Sequence, residues 1–207
     1  MEKMLVTKAL NELNLLDNRI VKEVNSATFV AAAKTAESKV TPNKSKADFI
    51  TEAKSSYQSI MDLIERRAHI KSAIVASNAV TQVEINGETM TVADAIELKT
   101  SIEYEAGLLR VLKNQLSSAN TIVTRENDKL ENKIDNILET MVAKDAKTKK
   151  EDYSEVIEPM RKSGEYSLVD PLDIEKKIAA LDAYISGFKS EVDSALQISN
   201  CTTWIEF

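Results

Sequence analysis

VADAIELKTSIEYEAGLLRVLKNQLSSANTIVTRENDKLENKIDNILETMV, residues 92–142, is the stretch on which the fold turns. Ile96, Ile102, Leu109, Leu112, Leu116, Val123, Leu130, Ile134, Ile137 and Met141 recur at core spacing for a helix; no proline interrupts them and Gly107 is the one glycine. As a single helix this segment would be about 75 Å long, whereas a compact globule of 207 residues has a radius of gyration of only about 17 Å. Elongation or self-association is therefore expected.

The rest of the chain agrees with a helical reading. Four glycines and three prolines leave few places for tight turns, so long elements follow. Ala9, Leu13, Leu16, Ile20 and Val24 mark a first helix over residues 2–24. Residues 28–34 read as extended and 38–46, with Pro42, as a loop. A second helix opens at Ser45, whose hydroxyl can accept the backbone N–H near Asp48, and its stripe of Phe49, Ala53, Tyr57, Ile60, Ile64, Ile70 and Ile74 runs to about residue 78. Between TQVEI and ETMTV stands Asn86-Gly87, a pair that tolerates the positive φ of a type I′ hairpin turn. Thr91, with Asp94 three residues on, repeats the start chemistry for the long helix.

Beyond residue 142 the pattern collapses into charge and then an irregular stretch with Pro159 and Gly164, in which Val156 and Ile157 could add a strand. The last helix is expected to begin with Asp170 as cap and Pro171 at its first position, carrying Leu181, Ile185, Phe188, Val192 and Leu196. The expected fold is mainly α: an elongated antiparallel helical bundle or coiled coil with one small β-hairpin at about residues 81–91. It reads as a single elongated domain over residues 1–207, with an irregular loop insertion at 143–169.

Composition narrows the function classes. Twenty-seven basic and thirty-three acidic side chains give a net charge of -6 with both signs interspersed, which offers no basic face for nucleic acid. One cysteine, Cys201, excludes an internal disulfide framework and suggests a reducing compartment. The first residues lack the apolar run of a signal peptide, and no stretch approaches the roughly 18 apolar residues of a membrane span. A cytoplasmic location is expected, with no cofactor and no metal, because His69 has no second His or Cys to complete a zinc site.

A leucine-striped first helix, the segment from Asn78 through the hairpin and TVADAIELK to Lys99, the YSEV of residues 153–156 and the Asn-x-Thr-Thr of residues 200–203 together resemble the septicolysin-like family. That family consists of small, mostly helical prokaryotic proteins without an established activity. The resemblance covers nearly the whole chain and implies its fold and oligomerisation. Cys201 stands where an aromatic follows the family's Asn, and Trp204 comes three residues later.

Three groups of residues are candidates for contacts. Arg66, Arg67 and Lys71 on the second helix, next to His69, could hold a phosphate-like anion, or form a solvated face paired with Glu65 and acids of the long helix. Gln115, Ser117, Ser118, Asn120, Thr121, Thr124 and Arg125 interrupt the long helix with weak helix formers, as a kink, a register-setting polar layer or a ligand contact would. Asn200, Thr202, Thr203 and Trp204 suit a helix cap and a docking strand or hook, or a polar pocket near Asn78, and Cys201 a small buried hydrophobe. The leading expectation is a non-enzymatic, self-assembling helical protein whose partner is itself. The alternative is a binder of a small anionic, nucleotide-like ligand at subunit junctions. A membrane-acting cytolysin is disfavoured because the polar faces carry acids among the bases.

Overall fold

A computed structural model describes residues 2–144 and 154–207; the KDAKTKKED run that the sequence marks as a loop lies almost entirely outside them. The protein is a mainly α-helical bundle with small antiparallel strand pairs. By compactness it divides into two units, one holding the residues up to Thr100 together with Gly187–Phe207, the other Ser101–Ser186.

The first unit begins with β1 (Lys3–Leu5), followed by α1 (Val6–Ser26). The first helix thus starts four residues later than its periodicity suggests. The reason is β6 (Trp204–Glu206), which pairs antiparallel with β1, Met4 opposite Ile205, and makes extended backbone at residues 3–5 the better-bonded state. Between α1 and the next helix, residues 27–34 carry no regular structure, and β2 (Lys39–Thr41) and β3 (Lys44–Ser45) form a miniature hairpin around Pro42-Asn43 where a plain loop was expected.

α2 (Lys46–Val80) starts where the sequence places it: the Ser45 hydroxyl accepts the Asp48 N–H at 3.0 Å and donates to the Asp48 carboxylate at 2.6 Å. Ala9, Leu13 and Leu16 of α1 share a core with Ile70 and Ile74 of α2 and with Met4 and Ile205 of the strand pair. Each such buried aliphatic contributes about 1.5–3 kcal/mol relative to exposure.

β4 (Gln82–Ile85) and β5 (Glu88–Thr91) form the expected hairpin, with Asn86 at φ 54° and Gly87 at φ 76°. Val83 and Ile85 alternate inward. The hairpin tip rests on the last helix, α5 (Ile174–Thr202): the Glu191 carboxylate accepts the Asn86 N–H at 2.6 Å, and a Cβ added at Gly187 would stand 2.2 Å from Asn86 Oδ1. Thr91 then caps α3 (Val92–Lys144), its hydroxyl accepting the Asp94 N–H at 3.0 Å.

α3 is one unbroken helix, and the polar interruption does not divide it. Of its apolar residues in the second unit, Ile102, Leu109 and Ile134 are buried; Ile96, assigned to the same seam, is exposed in the first unit. Inside the stretch read as irregular lies α4 (Ser154–Gly164), so Val156 and Ile157 are helical and not a strand. Tertiary contacts override Pro159 there: Ile157 is buried, Arg161 makes a two-pronged pair with Glu131 of α3 at 2.8 Å for each prong, and Gly164 sits so close to Leu130 that a Cβ would fall 2.8 Å from its Cδ1. α5 begins at Ile174 and not at Pro171, so the cap position falls to Asp173 and Pro171 occupies the turn before it; Asp170 accepts the N–H groups of Leu172 and Ile174 at 3.1 and 2.7 Å and holds that turn against the helix start.

Candidate interaction site

The two arginines of the α2 basic cluster are engaged from Glu2 and from α1, whereas His69 Nε2 lies 4.0 Å from the Glu65 carboxylate, one of the pairings the sequence suggests. Arg66 donates through Nε to Glu12 at 2.5 Å and through its two terminal nitrogens to Glu2 at 2.9 and 3.1 Å, while its guanidinium lies 5.6 Å from the centre of the Phe207 ring. Arg67 pairs with Asp17 through Nε and again through a terminal nitrogen at 3.4 Å. The hydrogen bonds from Arg66 hold the Glu2 carboxyl below its ordinary value, those from Arg67 do the same for Asp17, and both arginines are stabilised in their charged form. These two guanidinium groups tie α2 to α1 and to Glu2, the residue before β1. Lys71 is exposed beside them.

The polar interruption of α3 faces outward. Ser117, Ser118, Asn120, Thr121 and Thr124 are exposed, Thr121 bonds back to the Ser117 carbonyl at 2.8 Å, and Arg125 is paired with Glu126 at 2.9 Å. Within one chain these residues build no internal polar layer.

The C-terminal segment docks as a strand on its own chain. Asn200 lies inside α5 and not after it, because the helix runs to Thr202; the Thr203 N–H closes it on the Ser199 carbonyl at 2.9 Å and the Thr203 carbonyl takes the Val6 N–H at 3.0 Å. Trp204 is exposed, with the Lys3 ammonium 6.0 Å from its ring centre. Cys201 is exposed, contrary to expectation, its Sγ 3.4 Å from Thr7 Oγ1. Thr202 and Thr203 line a shallow groove of about 420 Å³ with Thr81–Glu84 and Glu191. Asn78, half-buried one turn earlier on α2, does not line it.

Two features that the sequence reading merged or missed are more informative. The apolar residues of α2 lie on two faces about a third of a turn apart. Ile60, Ile70 and Ile74 form the covered one. Ile50, Tyr57, Met61, Ile64, Ala68 and Val75 form the other, spaced seven, four, three, four and seven; Ile50 is 53 % exposed, Tyr57 58 % and Ile64 41 %. The Phe29 ring meets it edge-on at Tyr57, with 6.3 Å between ring centres. Sevens divided into four and three are the spacing of a helix seam that inserts between neighbouring helices.

The second feature lies in the other unit. Leu108 and Leu112 of α3 face Leu172, Ile174, Ala180, Leu181 and Tyr184 across an open apolar groove of about 450 Å³, and Lys177 is its one charged lining residue. The signal for it was the DPLD turn: Asp173 at φ 53° helps shape the turn that brings Leu172 to the groove.

Among the described residues no cluster of three His, Cys, Asp or Glu could hold a metal ion, and no helix is long and apolar enough to cross a membrane. No family model, curated protein or solved structure matches the chain.

Proposed function

We propose that this chain is a non-enzymatic helical protein that associates with copies of itself through the uncovered stripe of α2. The observation that carries the reading is the stripe: apolar side chains at seam spacing along a helix, exposed in the single chain, stand where a partner helix would cover them. A reducing, cytoplasmic setting and kinship with the septicolysin-like proteins belong to the same proposal, motivated by the single thiol and by the segments quoted above.

An anionic ligand loses its main motive, because Arg66, Arg67 and Arg125 are each held by a carboxylate. A lytic action is disfavoured because acids such as Glu52, Asp62 and Glu65 are interspersed with the bases of α2, where a membrane-lying helix carries bases.

Sedimentation equilibrium or mass photometry of the purified chain tests the proposal. Masses above one chain at micromolar concentration, reduced to one chain by Met61→Glu with Ile64→Glu, support it. A wild-type chain that stays single over the same range overturns it.

A further inference from the structure

We infer that the apolar groove between α3 and α5 is the seat for the α2 stripe of a second copy, so that copies join head to tail. The inference rests on the self-association proposed above and specifies its geometry.

A groove between two helices accepts a third helix when one wall matches the incoming ridge in length and the other gives it an apolar stop. From Ile174 to Tyr184 the α5 wall runs about 15 Å, against about 16 Å of α2 for Tyr57, Met61, Ile64 and Ala68, and Leu108 and Leu112 form a shorter α3 wall of about 6 Å. Charge fits as well. Lys177 is the groove's one charged lining residue and makes no ion pair among the described residues, while the exposed Glu65 borders the stripe beside Met61.

Pairing of α2 with another α2 is opposed by the stripe's own register. Its seam positions include Lys54 and Lys71. A parallel pair sets each lysine against its counterpart. An antiparallel pair that matches Met61 with Ile64 matches Tyr57 with Ala68, and at the same time Lys54 with Lys71. Like charges in a seam select against that partner. In the groove both lysines fall beyond the ends of the apolar wall, and the conflict disappears.

A head-to-tail contact leaves each copy with one free ridge and one free groove, so growth continues until a ring closes. Two variants at exposed positions separate the halves: Leu108→Glu spoils the groove and keeps the ridge, while Ile64→Glu spoils the ridge and keeps the groove. Each alone is expected to be a single chain, with apparent Kd raised at least tenfold. Mixed one to one, they are expected to give a dimer that grows no further, and that dimer also proves both variants folded. Lys177→Glu is expected to weaken association a few-fold and to regain it with Glu65→Lys.

If Leu108→Glu associates as the wild type does, the groove is not the seat, although self-association through α2 stands. A mixture that stays single-chain, while circular dichroism shows both variants folded, also overturns the inference. A wild-type chain that is single at all concentrations removes the self-association reading, and the groove assignment with it.

Discussion

The two apolar faces of α2 are built from similar side chains at similar spacing, yet one has a partner in its own chain and the other does not. Ile70 and Ile74 share a core with α1, Ile60 is buried on the same face, and Arg66 and Arg67 fasten the α1 contact at its edge with Glu2, Glu12 and Asp17. Ile50, Tyr57, Met61 and Ile64 are exposed; their charged neighbours are Lys54 and Lys71 in the same stripe and Glu65 beside it, which pairs with His69 of the same helix. The polar borders of the two faces differ: arginines that pair with Glu2 and with α1 edge the covered face, whereas the pairs beside the open one, Gln58 with Asp62 and His69 with Glu65, stay within α2.

The sharpest way to break that comparison is to truncate one residue on each face. Ile70 is 0 % exposed, so Ile70→Ala is expected to lower unfolding free energy by about 2–5 kcal/mol, read from the denaturant midpoint at unchanged slope. A loss under about 1 kcal/mol would mean that the face against α1 is not a packed core.

The clamp makes a smaller, pH-dependent contribution. Glu2 has its carboxyl held below the ordinary 4.5, and Asp17 below 3.8. A carboxylate lowered in the folded state stabilises fully above its unfolded value and loses that stabilisation as pH falls through the folded one. Thermal stability should therefore be flat from neutral pH down to about pH 4.5 and decline below it. Arg66→Met is expected to shrink the acid-side decline. An unchanged profile in that variant would show that the Glu2 carboxyl owes nothing to the arginine.

The smallest effect belongs to the open face. Measured where the chain is single, Ile64→Ser should move the unfolding free energy by no more than about 0.5 kcal/mol, while association weakens. A large loss of stability in the isolated chain would put Ile64 in the core and erase the distinction between the faces.

Much of this was legible in the residues, and the parts that were not share a cause. The starts of α2 and α3 are local chemistry, a Ser or Thr hydroxyl and an Asp three residues on, and the hairpin turn is decided by Asn86-Gly87 alone. The strand at Lys3–Leu5 is decided by residues some two hundred positions away, so α1's periodicity ran on through it. α4 was hidden by Pro159, which reads as a breaker until Arg161 and Gly164 are seen against α3. For the site, counting threes and fours placed Tyr57 and Ile64 in one stripe with Ile60 and Ile70; only the direction of α1 separates them. The pairing of Arg66 and Arg67 with α1 needed the same information.

The antiparallel ladder of β1 and β6 carries a consequence for the order in which the protein forms. Its three residue pairs join segments at opposite extremes of the sequence, and closing a flexible loop of that span costs about 2.7 kcal/mol more than closing one of ten residues. Helices can propagate long before such a closure is repaid, so this ladder is the last element to zip and the first to open. Native-state hydrogen exchange should accordingly find the Glu2, Val6 and Phe207 amides, which bond across it, exchanging through a smaller opening than the middle of α2 requires; equal protection at both places would mean that the ladder and the helices form together.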